Sequence, residues 1–214
     1  MSIHATKTVV MLAAVLGLAA CQWLGTKDAP PPIAVHSTDP AGDFFRNLSA
    51  LCGKAYRGRV VVDRPTQEGI NPFAGKTLIM HVRECKPDVI RIPFYVGDDR
   101  SRTWVITHTD NGGLRLKHDH RHEDGDEDAL SMYGGDTVEG GTPYRQSFPV
   151  DAESKDIFDR EGRSVSNTNV WAMEIEPGEH FYYELSRPGR LFRIEFDLTK
   201  PIPAPPPPWG TPTP

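Results

Sequence analysis

Residues 169–198 read NVWAMEIEPGEHFYYELSRPGRLFRIEFDL, and large apolar side chains fall on every second position in three successive runs. Trp171, Met173 and Ile175 share one face of the first run; Phe181, Tyr183 and Leu185 share one face of the second. Phe192, Ile194, Phe196 and Leu198 do the same in the third. A period of two is the signature of a half-buried strand, because successive side chains point to opposite faces. Pro188-Gly189 as a two-residue turn would pair Leu185 with Phe192, Tyr183 with Ile194 and Phe181 with Phe196. The opposite faces carry Glu174, Glu184, Arg193, Glu195 and Asp197, as one wet side of an antiparallel sheet requires.

The same alternation continues toward the N-terminus. AYRGRVVVD (55–63) and KTLIMHVRE (76–84) read as a hairpin centred near residues 69–70, and further strands are expected near 89–95, 101–109, 113–122, 129–133 and 144–149. One helix is legible: Asp39 can cap it, Pro40 suits its first position, Phe44, Leu48, Leu51 and Cys52 line one face, and Gly53 stops it. The fold class is therefore mainly β, an antiparallel meander closed into a barrel or folded as a sandwich, with one N-terminal helix. A helix followed by a Gly-Arg-rich first strand and a meander resembles the calycin or lipocalin-type barrels in architecture. The body also resembles a set of uncharacterised bacterial envelope proteins with SRTW, LKHDHRHEDG, MYGG and NVWAMEI-like blocks; that resemblance implies no activity.

The ends suggest an address. In MSIHATKTVVMLAAVLGLAAC a lone Lys7 precedes an apolar run from Val9 to Ala20, too short to span a bilayer comfortably and built like a secretory signal. Leu18-Ala19-Ala20-Cys21 resembles the lipobox of bacterial lipoproteins. That resemblance implies cleavage before Cys21, acylation of Cys21, and a membrane partner reached through two or three chains, enough for stable anchoring. Gln22 in place of Asp implies transfer to the outer membrane. The expected organisation is a signal peptide over 1–20, a Pro-rich tether over 21–39, a single β domain over 40–200, and a disordered or extended Pro-rich tail over 201–214. Roughly 160 residues suffice for one domain with its own core. With Cys21 lipidated, Cys52 and Cys85 remain as a pair for an oxidising compartment, and the 55–84 hairpin brings them together; two buried free thiols are the alternative. A net charge of −5 with scattered basic residues argues against a nucleic-acid partner.

Recognisable catalytic motifs fail. GINPFAGKT (69–77) has five residues where a phosphate-binding loop needs four, and a strand follows it where that loop needs a helix. The chain has no Gly-x-Ser-x-Gly elbow, and Asp124, Asp126 and Asp128 lack the glycine and distal glutamate of a calcium loop. The chemical hint is LRLKHDHRHEDGDED (114–128). On a strand, His118, His120 and His122 follow Leu114 and Leu116 on one face. Same-face neighbours stand roughly 6.6 Å apart, so two imidazoles can share an ion but three cannot. A metal site here would use His120 and His122 with Asp124 or Asp128, or else His118 and His120, and would bind zinc weakly and pH-dependently. Polar strand residues, or a polar wall for a ligand, are the other readings. With a three-residue loop at Asn111-Gly112-Gly113, His118 would oppose Ile106 and His120 would oppose Trp104. Trp104, Trp171 and Tyr183 are candidates to line a small-molecule cavity, against the ordinary reading of inward aromatics as core. Three functions compete at this point: a lipid-anchored barrel that binds a small ligand, a metal-dependent enzyme on the histidine strand, and a scaffold lipoprotein.

Overall fold

A computed structural model describes Met1 and residues 37–66, 72–138 and 141–211. The segment expected as a signal peptide (apart from Met1), Cys21 and nearly all of the expected tether lie outside the described residues. Elements follow in the order α1 (Pro40–Ser49), β1 (Ala55–Arg64), β2 (Leu78–His81), β3 (Glu84–Cys85), β4 (Val89–Val96), β5 (Asp99–His108) and β6 (Leu114–His120). After these come β7 (Tyr133–Asp136), β8 (Arg145–Pro149), α2 (Ala152–Arg160), a 3₁₀ turn (Ser164–Thr168), β9 (Val170–Glu176), β10 (His180–Arg187) and β11 (Arg190–Ile202).

The strands form one antiparallel sheet in the order β7-β6-β5-β4-β2-β1-β11-β10-β9-β8, with β3 paired to β4. Its two ends approach each other, so the sheet is a nearly closed barrel rather than a sandwich. The C-terminal meander has the expected register: Leu185 faces Phe192, Tyr183 faces Ile194 and Phe181 faces Phe196, while Tyr183 and Leu185 face Met173 and Trp171 on the other side. On the outer face Arg145 and Arg193 each bridge Glu174 and Glu184, a networked arrangement that supports the register where single surface pairs add little.

Helix α1 begins as expected, with the Gly42 N–H donating to Asp39 Oδ1 at 2.8 Å. Phe44 and Leu48 are fully buried, and Phe45 packs on His108 at 4.3 Å between centroids, where β5 ends. The helix therefore plugs that end of the barrel. Cys52 and Cys85 form a disulfide with Cα atoms 6.2 Å apart, tying the segment after α1 to β3. A bridge of this kind is worth about 2–4 kcal/mol, largely by restricting the unfolded chain.

The seam is closed by an element that periodicity could not reveal. Helix α2 buries only Ser154 and Phe158, so it has no apolar stripe to detect. Asp151 caps it by accepting from the Ser154 N–H at 2.8 Å. Ser154 Oγ then accepts from Gly134 N–H at 2.7 Å and donates to Gly134 O at 3.1 Å. The Asp151 N–H donates to the same carbonyl at 3.0 Å, and Lys117 on β6 pairs with Asp151 and Glu153 of the same region. A side-chain hydroxyl thus satisfies backbone groups that an open edge would leave exposed.

Three other expectations need correction. The strand expected at 129–133 lies at Tyr133–Asp136, because Met132 takes a φ of 55° and breaks the extended run just before it. The three-residue loop between β5 and β6 is Asp110-Asn111-Gly112, one residue earlier than expected: Gly112 holds the left-handed φ of 82° and Thr109 N–H donates to Gly113 O. The faces are unchanged, but every pairing moves by two, placing Trp104 opposite His118 and Arg102 opposite His120. The tail is not free as far as Thr211. Pro201 still pairs with Tyr56 in β11, Tyr95 Oη and Arg100 donate to the Pro206 and Pro207 carbonyls, and Trp209 N–H donates to Arg100 O. Proline removes a donor and keeps an acceptor, so an extended Pro-rich segment can dock on side chains that donate.

Candidate functional site

At the end opposite α1, β4, β6, β8, β10 and β1 finish while β5, β9 and β11 begin. There a cavity of about 520 Å³ runs into the barrel. Its walls include the three aromatics expected, Trp104, Trp171 and Tyr183, together with Phe73, Phe94 and Phe192. Trp104 stacks against Tyr183 at 4.4 Å and against Phe94 at 5.0 Å. Such stacked rings are fixed in place and present flat apolar surface to the hollow.

His118 and His120 line the cavity and His122 does not. His118 is 3% exposed, lies parallel to Tyr133 at 4.6 Å and tilts against Trp171 at 5.1 Å. Its Nδ1 stands 3.1 Å from the Tyr133 carbonyl, which can only accept, so Nδ1 carries the proton. Its Nε2 therefore accepts from the Tyr183 hydroxyl at 2.8 Å. Burial, then the neighbouring His120, push the His118 pKa down to about 3. His120 is held down at about 4 by burial and then by Arg102. Its Nε2 is 3.4 Å from the Tyr133 hydroxyl. The phenols move the other way: burial raises Tyr133 to about 12 and pushes Tyr183 well above 10. At neutral pH the interior thus holds uncharged imidazoles and uncharged phenols.

His122 leaves the strand for a turn, with its N–H donating to Asp126 O, and it faces Asp128 at 3.5 Å on the surface. Asp124 is exposed and accepts from Asp126 N–H. Asp128 accepts from Leu130 N–H and reaches the cavity rim. Both His118 nitrogens are already engaged, so an ion there would have to displace Tyr183. Among the described residues, three donor groups converge within 4.8 Å at Glu176, Glu179 and His180 on the turn after β9, not on the histidine strand.

Family models, curated proteins and solved structures were compared with this chain, and none matches. The site is therefore read from its own chemistry.

Around the rim sit four arginines, Arg102, Arg163, Arg187 and Arg190, against two aspartates, Asp63 and Asp128. Arg190 pairs with Asp63 and Arg102 with Asp99. Sequence reading missed these arginines and Tyr133. Arg187 and Arg190 flank the Pro188-Gly189 turn, and a signal was available there: that turn marks the end of the barrel away from α1.

Proposed function

We propose that this chain is a lipid-anchored protein of the cell envelope, seated at the outer membrane, whose barrel receives a small molecule with an apolar or aromatic body. The observation that carries the reading is the aromatic-walled cavity of about 520 Å³, which falls within the roughly 300–1,000 Å³ typical of small-molecule sites. Stacked ring walls, neutral imidazoles and phenol hydroxyls supply apolar contact together with a few placed hydrogen-bonding groups, as such sites require.

A neutral fluorescent apolar probe, N-phenyl-1-naphthylamine, is expected to bind the chain carrying Cys21→Ser with micromolar affinity. Leu130, on the cavity wall, offers a block: Leu130→Trp should weaken the probe at least tenfold without changing the circular dichroism spectrum. Absence of binding, or binding indifferent to Leu130→Trp, would sink the reading.

The anchor rests on the lipobox-like Leu18-Ala19-Ala20-Cys21. Cys21→Ser is expected to move the protein from the detergent phase to the soluble fraction, since loss of the acyl chains removes about 0.8 kcal/mol for every buried CH₂. Retention of the variant in membranes after alkaline extraction would refute the lipid attachment.

A further inference from the structure

We infer that the cavity ligand carries a single carboxylate at one end, held at the barrel mouth by Arg187 with Arg163 beside it, while its apolar part enters among the stacked rings. This inference rests on the ligand-binding reading above and adds the chemical class.

The argument begins with charge. The chain is acidic overall, at −5, yet the cavity rim reverses that sign with four arginines to two aspartates. The histidines do not contribute to the reversal, because both are neutral at physiological pH. Two of the arginines are already neutralised by Asp63 and Asp99. Arg163 and Arg187 have no carboxylate partner among the described residues. Arg187 is half-buried and its side chain donates to Asn169 Oδ1 at 3.2 Å. Asn169 is 4% exposed and lines the cavity. A neutral amide orients the guanidinium without neutralising it. Burial and the nearby Arg190 both disfavour charge on Arg187.

A partly desolvated cation facing a cavity is costly unless an anion meets it. A guanidinium with one donor engaged still presents a fork suited to a carboxylate. Asp128 on the same rim would oppose a second negative charge on the ligand. A monoanion is thus favoured over a phosphate monoester.

The test uses the full chain with Cys21→Ser and a matched pair of probes, 11-(dansylamino)undecanoic acid and its methyl ester, which differ in charge and share the apolar body. The acid is expected to bind tighter than the ester. Arg187→Ala should lower the acid-to-ester affinity ratio about tenfold, Arg163→Ala less, and Arg187→Lys should restore part of it. Arg59→Ala, on the outer wall, should leave the ratio where it was. Decanoate should displace the acid more effectively than decyl phosphate. Equal binding of acid and ester, or a ratio unmoved by Arg187→Ala, would overturn the head-group assignment while leaving the cavity reading intact. Stronger displacement by decyl phosphate would overturn the carboxylate. Failure of both probes to bind would remove the ligand-binding reading itself, and this inference with it.

Discussion

Gly135→Val is expected to leave no stably folded barrel at 37 °C. A Cβ at Gly135 would lie 1.7 Å from the Pro149 carbonyl oxygen and 2.7 Å from its carbon. The adjoining Gly134 is equally enclosed, with Leu116 O only 1.8 Å from a Cβ there. These obstacles are backbone atoms, so no rotamer change can clear them. The clash can be relieved only by parting β7 from β8, and with them would go the hydrogen bonds that join Gly134 to Asp151 and Ser154. Opening the seam also exposes the inner face of β6, where Leu116 is fully buried. A loss exceeding about 4 kcal/mol is the expected scale for such a combination of overpacking and orphaned backbone groups. That is a large fraction of the roughly 5–15 kcal/mol that holds a typical domain folded. Urea unfolding followed by tryptophan fluorescence reads the effect. A variant within about 1 kcal/mol of the parent would mean that β7 and β8 do not meet as described.

The second large effect is acid lability well above the carboxylate range. In the unfolded chain His118 and His120 titrate near 6.5; in the barrel they are held down at about 3 and about 4. Between these values the unfolded chain binds protons that the folded chain refuses, so stability falls as pH drops below about 6.5. The contribution is fully present above pH 6.5. It is lost progressively until the folded pKa is reached. Each histidine adds up to about 1.4 kcal/mol per pH unit to the slope. His81, also buried and lowered, works in the same direction. Several kcal/mol should therefore disappear between pH 6.5 and 4.5. The depressed carboxylates, among them Asp99 and Asp151, begin to titrate only below that window. Denaturant midpoints measured at half-unit steps would show the slope. His118→Phe should flatten it by about a third to a half even if it lowers stability at pH 7, because the slope counts protons rather than contacts. A parent protein equally stable at pH 7 and pH 5 would contradict the burial of neutral imidazoles. Since Tyr133 and Tyr183 hydrogen-bond these rings, the same protonation should disturb the cavity wall before the barrel unfolds globally.

What the sequence by itself determined is what is encoded between near neighbours. The period of two and the Pro188-Gly189 turn set the β10–β11 register residue by residue, because a tight turn fixes which residues oppose and one buried face forbids a slip. Asp39 and Pro40 determined the start of α1, and hairpin geometry was enough to bring Cys52 to Cys85. The candidate cavity aromatics were legible for the same reason, since Trp104, Trp171 and Tyr183 all fall on inward faces. Where local signals were degenerate the register slipped: either of two adjacent glycines could take the left-handed position before β6, and choosing Gly112 instead of Gly113 moved each pairing by two.

Only the tertiary structure decided the rest. The β1–β11 ladder pairs residues as remote in sequence as Ala55 and Ile202, and no turn specifies it. The β7–β8 seam depends on a mostly wet helix that contributes one hydroxyl. Whether His118 is a ligand or a satisfied interior hydrogen-bonding group depends on Tyr133 and Tyr183, from two other strands. The arginine rim is assembled from β5, the loop before the 3₁₀ turn and the β10–β11 hairpin. Each of those arginines alone reads as an ordinary solvated charge. Barrel closure brings strand ends that are remote in sequence around one opening, and that convergence gives the rim a sign opposite to that of the chain.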